Sequence, residues 1–183
     1  MKKILALFTM TMVLAQGNLA AGGGFGVFGS YWDPKDLDDS LAGGGIKLWF
    51  NTSEQLAFEF RVSGLFNEEK DGDEKSTFYV VPLEVGLVLS LMPGEPVNVY
   101  LGGGVGYYIY SIEDEGPGFS ETADVDNEFG FYGVGGVDFA LGSSVRLFVE
   151  AKYTKAEIKR VEGMSVDASL DGIGVNAGLL FTW

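Results

Sequence analysis

The chain has 183 residues, which fits one domain, and it contains neither cysteine nor histidine. The absence of cysteine excludes disulfide bonds and thiol nucleophiles, and the absence of histidine removes the commonest general base and the usual metal ligand. The net charge of −14 argues against nucleic acid as a partner, while 46% hydrophobic and 14% aromatic residues argue against a disordered acidic chain.

The first segment, residues 1–21, is typical of a cleavable signal peptide. Lys2 and Lys3 form a charged start, a run of twelve mostly apolar residues follows, and small residues precede the expected cleavage point. The run is too short to cross a bilayer as a helix, and no later stretch approaches the ~18 apolar residues that a helical span needs. We therefore expect residues 22–183 to form an exported domain without a transmembrane helix.

Eight segments of this domain alternate between apolar residues and small or polar residues, which is the period of a strand with two different faces. In chain order they cover residues 24–32, 41–51, 56–63, 79–91, 97–109, 128–141, 145–154 and 172–183. The alternation is rougher in the first, second and sixth segments, and the phase of the first is ambiguous. Pro82 lies inside the fourth segment and predicts a bulge or a local break, because proline cannot donate a ladder hydrogen bond.

The links between the segments alternate in length. Residues 51–55, 92–96 and 141–144 form short links, whereas 33–40, 67–77, 111–127 and 155–169 form long ones that hold 18 of the 26 acidic residues. Short periplasmic turns and long outer loops are typical of membrane barrels, and a soluble lipocalin-like barrel has no reason to sort its loops in this way. The predicted fold class is all-β, an eight-stranded antiparallel up-and-down transmembrane β-barrel.

The two faces of the strands have different chemistry. An eight-stranded barrel encloses room for side chains or one small ligand, so the small and charged series should face the lumen and the apolar series, which includes Leu87, should face lipid. Aromatic residues near the segment ends are predicted to form girdles at the membrane interfaces. They are Trp32, Trp49, Tyr79, Phe181 and Trp183.

The inward series carries charges of both signs, and pairing them recovers much of the free energy lost on burial. The predicted lumen charge network consists of Lys47, Glu59, Arg61, Glu84, Asp138, Arg146, Glu150 and Lys152. Folding the second hairpin about Ser53 predicts that Lys47 lies opposite Glu59. Arg61 and Glu84 are predicted to lie at similar heights on adjacent strands. These pairs favour a plugged lumen, and a gated ion path is the alternative.

Neither a cofactor nor a metal ion is expected. Gly102, Gly104 and Gly106 form a GxGxG run, but no helix follows, so these glycines are interpreted as space for aromatic side chains in the narrow interior. The acidic runs at 33–39 and 71–74 contain carboxylates of the kind that bind calcium. Neither run completes an EF-hand loop, so a solvated surface is favoured.

The last eight residues resemble the C-terminal signal of outer-membrane barrels. Asn176, Gly178, Phe181 and Trp183 match its polar residue, its glycine and its two aromatic positions. The family usually ends in phenylalanine, so Trp183 is a tolerated variant at the terminal aromatic position. The resemblance implies recognition by the barrel-assembly machinery.

From residue 22 to residue 183 the chain resembles the small barrels of the OmpA/OmpX type and the related opacity and OmpW-like proteins, through its strand count, loop order and C-terminal signal. The resemblance implies residence in the bacterial outer membrane, in contact with its lipid. Functions in these families are structural, adhesive or the passage of small molecules, and the fold does not choose among them.

A non-enzymatic structural or surface-interaction role is expected, with any extracellular partner contacting the acidic loops. A narrow channel for small hydrophobic or ionic solutes is the alternative. An enzymatic role is not expected, because the related barrel enzymes that act on lipid or peptide use histidine in their active sites.

Overall fold

A computed structural model describes residues 22–35, 39–71, 74–116, 119–124, 127–161, 164–169 and 171–183. Within them, no helix is long and apolar enough to cross a membrane. The predicted signal peptide, residues 1–21, lies outside the described residues. The strands are β1 (Gly23–Pro34), β2 (Leu41–Asn51), β3 (Leu56–Asp71), β4 (Glu74–Ser90), β5 (Val97–Gly116), β6 (Phe119–Asp124), β7 (Glu128–Ala140), β8 (Val145–Lys155), β9 (Glu157–Val161), β10 (Met164–Ser169) and β11 (Gly172–Thr182).

Eight of these strands close into an antiparallel barrel. Their order is β4-β3-β2-β1-β11-β8-β7-β5, and an additional pairing between β4 and β5 closes the ring. The first and last strands are paired along eleven positions, from Gly24 opposite Thr182 to Pro34 opposite Gly172. The predicted eight-stranded up-and-down topology is therefore confirmed. The remaining strands lie in the long links: β6 pairs with the outer part of β5, and β9 pairs with β10.

Three barrel strands extend beyond their predicted outer ends by five or more residues. Strand β2 occupies the predicted range, but β3 and β4 extend to Asp71 and Glu74, and β5 extends to Gly116. Large parts of the predicted loops are thus paired strand. Outside a bilayer both faces of a hairpin meet water, so the apolar alternation that reveals a strand in sequence is lost while the backbone pairing continues.

The predicted facing of the clear strands is confirmed. On β3, Glu59 and Arg61 are buried while Phe58 and Val62 are exposed, and on β4 Leu87 has 43% of its surface exposed on the outside of the barrel. The ambiguous first strand places its even-numbered positions inward. The large apolar residues therefore form the outer wall and the charged residues line the lumen.

Two of the predicted girdle residues lie inside the barrel instead. Trp32 is only 3% exposed, and Trp49 packs against buried Phe28 and Leu180. Side chains two residues apart on a strand point to the same face. Trp32 therefore points inward like Phe28, and Trp49 points inward like Lys47, although tryptophan generally favours membrane interfaces. Outside the barrel, Tyr79 contacts Phe66, Phe181 stacks on Phe25, and Trp183 is exposed.

The ladder beside Pro82 is interrupted without a bulge. Pairing between β3 and β4 stops after Val62 and Leu83 and resumes at Leu65 and Val80 in the same register. Pairing between β4 and β5 runs through Pro82 without a gap. Proline has no N–H to donate toward β3, so the predicted local break occurs and the register survives it.

Candidate functional site

The lumen of the barrel holds all eight predicted network residues, which the hairpin registers bring to the inner face. Six are buried: Lys47, Glu59, Arg61, Glu84, Asp138 and Glu150. The Arg146 and Lys152 side chains are slightly more accessible. The eight residues fall into three groups along the lumen.

Glu150 on β8 is the centre of the largest group. Its carboxylate accepts hydrogen bonds from Lys47 Nζ at 3.2 Å, from the Tyr100 hydroxyl at 2.8 Å and from Asn176 Nδ2 at 2.9 Å. Arg61 binds it with both terminal nitrogens, Nη2 at 2.9 Å. These donors stand on four other strands, so Glu150 ties distant walls of the barrel together. We call Lys47, Glu59, Arg61, Tyr100, Glu150 and Asn176 the central cluster.

The predicted pairing of Lys47 opposite Glu59 is wrong in register by two residues. Lys47 lies opposite Arg61, and Glu59 lies opposite Trp49. The turn explains the shift, because the N–H groups of residues 52 and 53 both bond the carbonyl of residue 56 and move the hairpin centre one residue beyond Ser53. Lys47 Nζ still reaches Glu59 Oε2 diagonally, at 3.5 Å. The like charges of Lys47 and Arg61 are compatible as neighbours because both contact Glu59 and Glu150.

A second group surrounds Glu84. Its Oε1 accepts from Lys152 Nζ at 2.6 Å and from the Tyr108 hydroxyl at 2.9 Å. Arg61 is the ladder neighbour of Glu84, at the predicted similar height, but the guanidinium of Arg61 binds Glu59 and Glu150 instead. The Tyr132 ring lies between the two groups, with Arg61 Cζ and Lys152 Nζ each 5.7 Å from its centre.

The third group lies at the short-link end of the barrel. Arg146 Nε binds Asp138, and its Nη2 donates to the carbonyl of Glu95 at 2.9 Å. Asn98 Nδ2 donates to Asp138 at 2.9 Å, and the Asn98 side-chain oxygen accepts from the Met92 N–H at 3.1 Å. The group therefore fastens the link between β4 and β5 to the barrel wall.

A cavity of about 250 Å³ lies at this short-link end. Its walls include Asn98, Asp138 and Arg146 of the third group, and Lys47, Glu59 and Tyr100 of the central cluster also line it. The central cluster thus separates this cavity from the outer half of the lumen.

Several polar partners in the network were not anticipated from the sequence. Asn98 and Asn176 are two examples. Both are buried in the lumen, on the same face of their strands as the predicted charges. Tyr100, Tyr108 and Phe148 fill the interior. Of the three glycines predicted to make room for aromatic rings, Gly106 does so for Tyr108, whereas a side chain at Gly102 or Gly104 would first meet neighbouring strands, and the Tyr100 ring lies against Gly136 instead. The Lys47 ammonium lies 3.9 Å from the centre of the Phe148 ring.

The family described as outer membrane protein β-barrel domain matches residues 4–181. The chain belongs to this family. The protein is located in the bacterial outer membrane, and the exposed apolar wall of the barrel contacts the membrane lipid.

Solved outer-membrane barrels share the fold at low sequence identity. OprG from Pseudomonas aeruginosa has a TM-score of 0.66 and 18% identity, over 92% of this chain and 98% of that protein. Neisserial surface protein A has a TM-score of 0.64 and 14% identity, over 87% of this chain and 95% of that protein. Ail of Yersinia pestis has a TM-score of 0.56 and 14% identity, over 88% of this chain and 97% of that protein. Its structure was solved with the heparin analogue sucrose octasulfate. No curated protein sequence is significantly similar to the chain.

The residues of the predicted C-terminal signal divide between the two faces of the last strand. Asn176 is buried in the central cluster, and a side chain at Gly178 would overlap Phe28. Phe181 stacks on Phe25 at 4.8 Å between ring centres, while Trp183 is 69% exposed.

The acidic links carry no described metal site. Residues 36–38, 72–73, 117–118, 125–126, 162–163 and 170 lie outside the described residues. Among those that are described, no group of three or more acidic side chains is arranged to hold a metal ion.

Proposed function

We propose that this outer-membrane barrel is a non-conducting, non-enzymatic protein with a structural or surface-interaction role. The observation that carries the proposal is the central cluster. Its Lys47, Arg61 and Glu150 side chains are each at most 3% exposed and connect β2, β3 and β8 across the lumen. Eight strands enclose little more than their own side chains, so a cluster of this width blocks the path for hydrated ions.

The buried carboxylates support the non-enzymatic part of the proposal. Glu150 accepts from Lys47, Arg61, Tyr100 and Asn176, and Glu84 accepts from Lys152 and Tyr108. A carboxylate held in this way is engaged with cations and donors of the protein itself. It is poorly placed to exchange protons with a substrate, which needs direct hydrogen-bond access.

The outer strands are the part of the molecule available to a partner. Strands β3, β4, β5 and β6 form a continuous sheet there, and among the described strands β6 pairs only with β5, so its second edge is open. An open edge can add an extended segment of another protein. Residues 111–127, which include β6, hold six acidic residues and no basic one, so the partner we propose is a basic extended segment.

The proposal also includes how the protein is exported and assembled. We infer that residues 1–21 are removed as a signal peptide and that the barrel-assembly machinery recognises the C-terminal residues from Asn176 to Trp183. Phe181 and Trp183 lie on the outer face of the last strand, where a second protein can reach them during assembly.

Planar-bilayer recording of the refolded protein tests the non-conducting part. The unmodified protein should be silent. The double variant Arg61→Ala, Glu150→Ala should conduct, because it removes the side chains that bridge the lumen, whereas Leu87→Ala on the lipid face should stay silent. Heat-modifiable gel mobility verifies that each variant is folded. Steady conductance from the unmodified protein would overturn the proposal.

A narrow channel for small solutes is the second candidate. The observation that favours it is the cavity of about 250 Å³, which already occupies the lumen between the short-link end and the central cluster. The passage of ions would then need only a rearrangement of the central cluster. The same recording distinguishes the two candidates, because a channel of this kind would open in the unmodified protein.

A further inference from the structure

The cavity of about 250 Å³ opens at the short-link end of the barrel. Exposed Glu54 of the first short link and exposed Pro93 and Gly94 of the second are part of its wall. Buried Glu59 and Tyr100 of the central cluster close its inner end. A ligand would therefore enter from the periplasm, which the short turns of such barrels face. Binding there does not depend on whether the lumen conducts ions, because the cavity ends at the central cluster.

Part of the cavity wall is apolar. The apolar residues that line it are Trp49, Ala57, Val88 and Leu180. Trp49 packs against the buried group that contains Leu180, and its ladder neighbour on β3 is Glu59. An apolar surface and a carboxylate thus lie side by side, and apolar walls with a few fixed polar groups are typical of small-molecule sites.

Carboxylates outnumber cations around the cavity. The charged residues that line it are Glu54, Glu59, Asp138, Lys47 and Arg146. Both cations already bind carboxylates of the protein, Lys47 to Glu150 and Arg146 to Asp138. The three short links contain two acidic residues, Glu54 and Glu95, and no basic one. The electrostatic field at the mouth therefore favours a cationic ligand over an anionic one.

Glu59 has one carboxylate oxygen with spare capacity to accept a hydrogen bond. Its Oε1 accepts from Arg61 Nε, whereas the contact seen for its Oε2 among the described residues is Lys47 Nζ at 3.5 Å. That contact is longer than the ~2.7–2.9 Å of an ordinary charged hydrogen bond. Glu59 is 3% exposed and lines the cavity, so a donor inside the cavity can bond this oxygen.

We propose that the cavity binds a small aliphatic ammonium ion that enters from the periplasm. The N–H groups of the ion would donate to Glu59 Oε2, and its alkyl chain would contact Trp49 and Leu180. Glu54 at the mouth would balance its charge. A water molecule occupies roughly 30 Å³ in the liquid, so the cavity has room for an ion of several non-hydrogen atoms.

Lys47 places a like charge beside the proposed ligand. Its Nζ donates to Glu150 at 3.2 Å, so its hydrogen bond leads away from the cavity into the central cluster. Lys47 and its ladder neighbour Arg61 already lie side by side, because two carboxylates of the cluster contact both of them. A further cation is matched by the carboxylate of Glu54, so the repulsion from Lys47 does not exclude it.

The indole N–H signal of Trp49 gives a direct test, because Trp49 lines the cavity. The other two tryptophans are controls: Trp32 is buried in the outer half of the lumen, and Trp183 is exposed. Protein with nitrogen-labelled tryptophan, in lipid nanodiscs, is titrated with n-butylammonium, and the signals are assigned with Trp→Phe variants. Three matched probes each change one property: 1-butanol has no charge, butyrate has the opposite charge, and tetramethylammonium has the charge without an N–H group.

Butylammonium should shift the Trp49 signal in a saturable way and leave the Trp32 and Trp183 signals in place. Added salt should weaken this binding. Tetramethylammonium should bind about tenfold more weakly or worse, because it cannot form the hydrogen bond to a carboxylate. Neither 1-butanol nor butyrate should produce a saturable shift.

Two variants locate the binding site. Glu54→Gln should weaken butylammonium binding by about two- to fivefold, the range for one exposed charge pair. Glu95→Gln, which removes an acidic residue that does not line the cavity, should have a smaller effect. Ala57→Leu should abolish the shift by filling the cavity, whereas Phe58→Leu on the lipid face should bind normally. Heat-modifiable gel mobility verifies that each variant is folded.

Three outcomes would overturn the proposal. The first is the absence of a saturable change at Trp49 with butylammonium in the folded protein. The second is equally tight binding of 1-butanol or tetramethylammonium, since the cavity would then not recognise a charged N–H donor. The third is unchanged affinity in both Glu54→Gln and Ala57→Leu, since the ion would then bind elsewhere.

Discussion

Replacing Glu150 with glutamine should destabilise the barrel more than the matching change at Glu59. The substitution keeps the shape of the side chain and removes its negative charge. The carboxylate is 1% exposed and receives donors from Lys47, Arg61, Tyr100 and Asn176. A glutamine amide has one accepting oxygen, and its NH2 group would face several of these donors.

The size of the effect follows from the charge balance. The central cluster contains two cations, Lys47 and Arg61, and two carboxylates, Glu59 and Glu150. Glu150→Gln leaves one buried cation without a counter-charge, which typically costs ~3–5 kcal/mol. Glu59→Gln leaves the same excess charge but removes fewer contacts, because Glu59 is bound only by Arg61 and, at 3.5 Å, by Lys47 among the contacts seen. Its effect should therefore lie at the lower end of that range.

Urea titration in lipid vesicles, followed by tryptophan fluorescence and by heat-modifiable gel mobility, measures the free energy of unfolding. Adding Lys47→Met to Glu150→Gln restores neutrality, so the double variant should be more stable than the sum of the single effects by ~0.5–3 kcal/mol. Strict additivity, or a Glu150→Gln effect below about 1 kcal/mol, would refute the reasoning. Either result would mean that water screens the charges in the lumen.

Three further predictions use the same assays. Leu87→Arg should cost ~2–4 kcal/mol because it places a charge on the lipid face near mid-membrane, and an unchanged urea midpoint would contradict that facing. Gly104→Ala should sharply reduce the folded yield because its Cβ would overlap the Val85 carbonyl, whereas Gly64→Ala, whose Cβ meets nothing within 4 Å, should fold normally; equal yields would contradict the packing argument. Trp183→Asp should prevent membrane assembly without affecting export, and a normal heat-modifiable band would count against recognition of the C-terminal signal.

The fold could be predicted because membrane strands have two chemically distinct faces. Period two in β3 and β4 is enough to place Arg61 inside and Leu87 outside, and the order of short and long links gives the up-and-down topology. The prediction became weaker where both faces meet water. The outer parts of β3, β4 and β5 therefore looked like loops in the sequence although their backbones are paired.

The eight predicted charges lie in the lumen, but only part of their pairing could be predicted: Lys47 does reach Glu59, at 3.5 Å and diagonally. Lys47 binds Glu150, 103 residues away, and this contact depends on barrel closure and on the stagger between strands that are not neighbours. Counting residues symmetrically about Ser53 pairs Lys47 with Glu59, two residues from its true neighbour Arg61. The backbone hydrogen bonds of the turn, which the sequence does not show, set the centre of the hairpin. Trp32 lies inside the barrel and not at the interface that its residue type favours, because the ambiguous alternation of the first segment does not show which face it occupies.

The two halves of the lumen differ in how their polar groups contribute to stability. Donors in the central cluster, such as Lys47 and Asn176, bind carboxylates of the protein itself, so their replacement changes the folded state. The Trp32 nitrogen and the Tyr110 hydroxyl have no such partner among the described residues, so removing the Tyr110 hydroxyl takes no hydrogen bond of that group away from the barrel. Tyr110→Phe should therefore leave the urea midpoint unchanged or slightly raised, because a buried unpaired group is lost. A clear loss of stability in that variant would mean that the hydroxyl is bonded within the folded barrel, and the reasoning from its missing partner would fail.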